Sequence, residues 1–236
     1  MKNIERIVLG YKGEIGSAIA DIFKANICID LNDYVINGKK FENDVLNKID
    51  WNKKTSILHV TIPFTDNFIN IVSDWMLRLK PMITIIHTTS KPGATREIFK
   101  QTNLPTVHCP INGRHPNMKS DIQKYDMFVG AIEETTGQKA CEYIEFFGLD
   151  TYLCQTPEIT ELSKIASTDL MRVNIEFYQQ MKKKINEMGI NWAEYIAFMK
   201  NIMEKGDKLC RIYQRAGEID TPLSGKHCIS VNKDLL

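Results

Sequence analysis

Apolar residues fall along this chain in two rhythms. Short, nearly continuous apolar runs occupy Arg6–Gly10, Asn26–Leu31, Ser56–Ile62 and Pro81–Thr88. Runs of this length without polar alternation predict strands buried on both faces. Ser17–Lys24 and Phe68–Leu79 instead repeat at helical spacing. Strands alternating with helices predict a parallel sheet covered on both sides. Pro105–Pro110, Met127–Ile132 and Thr151–Cys154 read as three further strands, with a helix over Thr136–Phe147, which carries the sheet to about residue 155. After Pro157 the rhythm changes: Leu162, Ile165, Leu170, Val173, Phe177, Met181, Ile185 and Met188 recur at three- and four-residue steps, predicting one long helix ended by Gly189. A second helix runs from Trp192 to about Arg215, and an irregular tail holds Pro222, Gly225, His227 and Cys228.

The first strand leads into Gly10-Tyr11-Lys12-Gly13-Glu14-Ile15-Gly16, which then opens a helix. A phosphate cradle needs glycines there, because the chain must turn sharply and approach a pyrophosphate closely, while the helix offers free N–H groups at its positive end. The spacing is G-x-x-G-x-x-G, one residue longer than the usual fingerprint. Asp30, at the end of the second strand and about 20 residues after Gly10, stands where a carboxylate accepts the adenosine ribose hydroxyls and repels a 2′-phosphate. These residues predict an α/β fold, a Rossmann-type doubly wound, mostly parallel sheet over residues 1–155, followed by a C-terminal helical region over 156–236. They predict NAD as the cofactor.

Composition narrows the class without changing it. The 236 residues are 43% hydrophobic and 25% charged with a net charge of +1, which asks for neither nucleic acid nor membrane. No apolar run approaches the length of a bilayer span and Met1-Lys-Asn-Ile-Glu5 does not read as a signal peptide, so the expected location is the cytoplasm. The six cysteines contain no C-x-x-C pair and read as free thiols, and no metal site is expected. Asn112, Arg114 and His115 follow a strand whose end should face the cofactor and are candidates for binding an anionic substrate.

Several stretches resemble the UDP-glucose/GDP-mannose dehydrogenase family. His59-Val-Thr-Ile62-Pro63 is similar to its V-x-T-P beside the nicotinamide, which adds Ile62 and Pro63 to the cofactor contacts. Thr88-Thr89-Ser-Lys-Pro-Gly-Ala-Thr95 is similar to S-T-V-P-x-G-T, and puts Thr89 where a threonine holds a catalytic water. Glu161-Leu-Ser-Lys164 followed by Val173-Asn-Ile-Glu-Phe177 is similar to its central helix, with Lys164 at the catalytic lysine. Gly225-Lys-His-Cys228 resembles G-G-H-C, with Cys228 at the nucleophile. Three polar positions depart: Thr168 replaces an asparagine, Asn232 an aspartate and Ile111 a glutamate. The resemblance takes in the NAD-binding domain and the central helical region, and the family's C-terminal nucleotide-sugar domain is expected to be missing.

The resulting expectation is an NAD-dependent oxidoreductase acting on a small polar or anionic alcohol. Thr89, Lys164, Thr168, Cys228 and Asn232 would surround the reacting carbon, and the long helix would pair two chains in a homodimer. The alternative is a dehydrogenase-derived module that binds NAD without hydride transfer.

Overall fold

The computed structural model describes residues 4–31, 33–41 and 46–205. The described chain forms two compact units that divide between Lys164 and Ile165.

In the first unit the strands are β1 (Ile4–Leu9), β2 (Ile27–Asp30), β3 (Asp33–Ile36), β4 (Lys39–Phe41), β5 (Thr55–Val60), β6 (Ile83–Ile86), β7 (Thr106–His108), β8 (Met127–Ala131) and β9 (Thr151–Cys154). They make one sheet in the order β4-β3-β2-β1-β5-β6-β7-β8-β9. β2, β1, β5, β6 and β7 run parallel. The helices are α1 (Glu14–Ile22), α2 (Phe68–Leu79), α3 (Ala94–Thr102), α4 (Met118–Ile122) and α5 (Glu134–Glu145). Consecutive strand residues go to opposite cores. Val8 packs with Ile19, Phe23 and Ile144 on one face, while Ile7 and Leu9 pack with Val72, Met76 and Ile98 on the other. That two-sided burial is why the strands read as unbroken apolar runs.

The structure is therefore the α/β Rossmann-type sheet the sequence predicts, with three additions. β3 and β4 form a hairpin closed by Asn37 and Gly38, both at positive φ (48° and 77°). Asn-Gly is a strong sequence signal for such a turn. β8 runs antiparallel to β7, and α3 and α4 were not anticipated. α1 begins three residues earlier than the apolar periodicity suggests, because Gly13 is already its N-cap, so Glu14 and Ile15 belong to the helix.

The long helix α6 (Pro157–Glu187) is continuous over 31 residues, and its last turn ends before Gly189 at φ 68°. Asn191 then caps α7 (Trp192–Lys205) by accepting the Ala193 N–H at 2.9 Å. In the second unit Tyr178 packs against Trp192, Tyr195, Ile196 and Met199. Leu170, Val173 and Phe177 stay about half exposed, whereas Ile185 is buried. The expected extension of this helix to Arg215, Cys210, and the tail with His227, Cys228 and Asn232 lie outside the described residues. No described helix is long and apolar enough to cross a membrane.

Candidate functional site

The strand order reverses direction between β1 and β5, so a crevice opens beyond the carboxyl ends of the parallel strands. The glycine turn leaves β1 there. Gly10 takes φ 94° and donates its N–H to the Ile29 carbonyl at 2.7 Å. Thr61, just past β5, closes the turn from below with its hydroxyl 2.8 Å from the Leu9 carbonyl. The three glycines are not equivalent. A Cβ on Gly16 would lie 2.0 Å from the Gly10 carbonyl oxygen, and one on Gly10 2.9 Å from the Ile62 nitrogen. A Cβ on Gly13 would meet only the Gly10 oxygen, at 3.6 Å. The protein itself leaves the space before Gly13 open at the N-terminus of α1, which fits a dinucleotide pyrophosphate.

Asp30 sits at the end of β2 and accepts the Lys12 N–H at 3.0 Å through Oδ2. Lys12 is ion-paired to Asp33, which also holds Lys40 at 3.2 Å. The Lys12 ammonium keeps the Asp33 carboxyl below its ordinary range, and the same bond raises the Lys12 amine. Tyr11 and Ile15 pack against the α1 side of the core. The Ile62 carbonyl accepts the Thr88 hydroxyl at 2.7 Å, and Pro63, next in sequence, is exposed. Thr89 is half-buried.

The segment after β7 meets both the glycine turn and α6. His115 pairs with Glu14. Asp121 accepts the Arg114 N–H at 3.0 Å, which fixes the bend that presents the exposed Arg114 and His115. Asn112 accepts a hydrogen bond from Lys164 Nζ at 3.2 Å. Lys164 and Asn112, both candidate site residues, are thus partners at a sequence separation of 52. Thr168, four residues on, is buried and donates back to the Ile165 carbonyl at 2.8 Å. Ile111, where the resemblance expects a glutamate, is a core residue only 3% exposed, packed with Val107 and Met118. Acid-base work by that position is gone for a packing reason. Cys228 and Asn232 lie outside the described residues.

Sequence reasoning missed the polar interior beneath this crevice. His87 Nδ1 lies 2.7 Å from the Cys109 carbonyl, which can only accept, so that nitrogen donates. His87 Nε2 must then accept from His59 Nδ1 at 2.9 Å, and His59 Nε2 from the Tyr143 hydroxyl at 2.9 Å. His108 donates from Nε2 to the Thr88 carbonyl at 3.0 Å and accepts from Thr160 at 2.8 Å. Burial drives the pKa of all three below the ordinary histidine value: His87 to about 4, His108 to about 3, His59 well down. They are neutral, orienting groups. The signal was a lone histidine in each of three apolar strand runs. Glu161 was also missed: its fully buried carboxylate accepts from the Gly93 N–H at 2.7 Å, the Thr95 N–H at 2.8 Å and the Thr95 hydroxyl at 2.6 Å.

Among the described residues no group of three or more His, Cys, Asp or Glu is placed to hold a metal ion. A surface groove of about 760 Å³ lined by Arg6, Lys24, Lys119 and Phe146 lies toward the amino ends of the strands and shares none of the residues above.

No protein-family model matches the chain. It is 24% identical over 159 residues to UDP-N-acetyl-D-mannosamine dehydrogenase of Methanocaldococcus jannaschii, a match covering 64% of this chain and 34% of that protein. The resemblance is to nucleotide-sugar dehydrogenases. The solved UDP-D-ManNAc dehydrogenase of Pyrococcus horikoshii superposes with TM-score 0.63 at 15% identity, covering 89% of this chain and 68% of that one. The 3-hydroxyisobutyrate dehydrogenase of Mycobacterium tuberculosis, solved with L-serine, gives 0.68 at 12% identity over 100% of this chain and 85% of that one. These superpositions share the Rossmann-type fold. The chain's match spans about a third of the length of the curated nucleotide-sugar dehydrogenases it resembles.

Proposed function

We propose that this protein is an NAD-dependent oxidoreductase acting in the cytoplasm on a small polar or anionic alcohol. The observation that carries the reading is the open N-terminus of α1 at Gly13, flanked by Asp30, with Lys164 hydrogen-bonded to Asn112 where a substrate would lie. NAD supplies the hydride acceptor. Asp30 keeps one carboxylate oxygen beyond its bond to Lys12 for a ribose hydroxyl, and its charge disfavours a 2′-phosphate. The Lys164 ammonium offsets the negative charge that grows on the substrate oxygen as hydride leaves, and Asn112 orients it. Arg114 and His115 meet an anionic group. On the resemblance, Thr89 holds a water, and Thr168 and Asn232 stand in for the asparagine and aspartate of the catalytic set. Cys228, if it adds to the aldehyde, permits a second oxidation through a thioester. The exposed Leu162, Val173 and Phe177 on α6 support pairing with a second copy of the chain.

Calorimetric titration tests the cofactor directly. NAD should bind more tightly than NADP, and Asp30→Ala should weaken NAD by about 1 to 3 kcal/mol, the scale of a charge-assisted hydrogen bond. Equal or tighter NADP binding would sink the assignment. Alcohols are then screened for NADH formation with wild type and Cys228→Ala. A Cys228 adduct in the mass spectrum would mark the two-step oxidation, and turnover indifferent to Cys228→Ala the single step. Tight NAD binding with no alcohol oxidised would leave the binding module, which the altered Thr168, Asn232 and Ile111 favour.

A further inference from the structure

The first turn of α6 is fastened to three other elements. Arg96 on α3 makes a two-pronged pair with Glu158, Nε to Oε1 at 2.6 Å and Nη2 to Oε2 at 3.0 Å. Thr160 meets His108 at the end of β7 at 2.8 Å. Glu161 reaches furthest. Its carboxylate is fully buried and accepts the Gly93 and Thr95 N–H groups and the Thr95 hydroxyl, with the Ser90 hydroxyl at 3.5 Å.

Those two N–H groups are orphan donors at the start of α3, whose N-cap Gly93 has no side chain to satisfy them. A carboxylate from 66 residues away does so instead, with the positive end of the helix dipole beside it. The bonds also gather the turn from Ser90 to Thr95, which directly follows Thr88 and Thr89. Lys164 lies three residues after Glu161, on the same side of the helix.

We propose that Glu161 is a positioning residue, the buried cap of α3 that fixes the turn after β6 and the first turn of α6 together and thereby holds Lys164 at Asn112. Lys164 has its catalytic meaning only within the oxidoreductase reading, on which that part of the inference rests. The anchoring itself is a property of the chain alone. Glutamine is a poor replacement, because its amide turns an N–H₂ toward N–H donors that need an acceptor. Burial raises the Glu161 pKa, and the hydrogen bonds from Thr95 and Gly93 pull it back down.

The test is trace acetylation of the full chain followed by peptide mass spectrometry, with Lys139 on α5 as the internal reference. In Glu161→Gln, Lys164 should label about fivefold faster relative to Lys139 than in wild type, equivalent to roughly 1 kcal/mol of lost positional bias. Thr95→Val, which removes one donor and keeps the shape, should move Lys164 the same way by less, and Thr95→Ser should restore the wild-type rate. Relative Lys164 labelling unchanged in folded Glu161→Gln overturns the proposal. If Glu161→Gln does not fold, an unchanged rate in Thr95→Val overturns it equally. The labelling uses neither cofactor nor substrate. A chain that binds no dinucleotide therefore still decides the role of Glu161, and a chain that reduces NAD with Lys164 labelling unmoved overturns the positioning role alone.

Discussion

Lowering the pH from 7 to 5 should remove about 4 kcal/mol from the stability of the sheet unit through His87 and His108, about 2 kcal/mol each, and the fully buried His59 adds to the loss in the same direction. Unfolded, each histidine titrates near 6.5; folded, His87 and His108 resist protonation to about 4 and 3, and His59 is pushed well down too. Below pH 6.5 the unfolded chain binds protons that the folded chain refuses, so stability falls as pH falls. Desolvation is the main cause. His87 and Arg6 add repulsion at His59, and His87 and Lys164 add it at His108. The Cys109 and Thr88 carbonyls pull the other way without winning. Glu161 opposes the trend at lower pH, since its raised pKa lets the folded state take a proton before the unfolded chain does. A loss of this size approaches the whole stability of a marginally stable domain, so mild acid should bring the unit close to unfolding. Urea melts at pH 7, 6 and 5 measure it. A change under about 2 kcal/mol would mean that the histidines accept protons where they are.

The glycine turn gives the second large effect, and it separates folding from binding. Gly16→Ala places a Cβ 2.0 Å from the Gly10 carbonyl oxygen and 2.8 Å from the Thr61 hydroxyl, and the nearer of these atoms is backbone that cannot rotate away. α1 must shift off β1, at a cost of about 3 kcal/mol or more. A thermal melt should show a drop of about 10 °C. Gly13→Ala meets nothing closer than 3.6 Å and keeps an ordinary φ of −68°, so it should cost about 1 kcal/mol or less, the loss of a glycine N-cap. Its effect belongs to the ligand. A methyl group where the pyrophosphate must approach should weaken dinucleotide binding by roughly tenfold or more, about 1.4 kcal/mol. A Gly13→Ala protein that binds NAD like wild type would remove the pyrophosphate from this turn, whatever its melting temperature.

How much of this was legible beforehand follows the range of the interactions. The sequence determined what depends on near neighbours. Phe68–Leu79 and Thr151–Cys154 form over the predicted residues, because apolar periodicity directly records which side of a segment is buried. Gly189 stops the long helix because it takes a positive φ, and the glycine turn, with Asp30 about 20 residues on, was visible as a spacing. The Asn37-Gly38 hairpin is just as local, since both residues take the positive φ that this dipeptide favours. Only the tertiary structure decided what lies across the chain. Which of three similar glycines is sterically required depends on β1 meeting β5. That His59 bonds Tyr143 joins positions 84 apart in sequence, and that Glu161 caps α3 joins positions 66 apart. Thr168, spaced to share a face with Lys164, turned its hydroxyl to its own backbone, and Ile111 turned out to be core. A buried polar side chain is fixed by the single partner that satisfies it, and that partner has no characteristic sequence spacing. An apolar run needs only a face to bury, which its own pattern already declares.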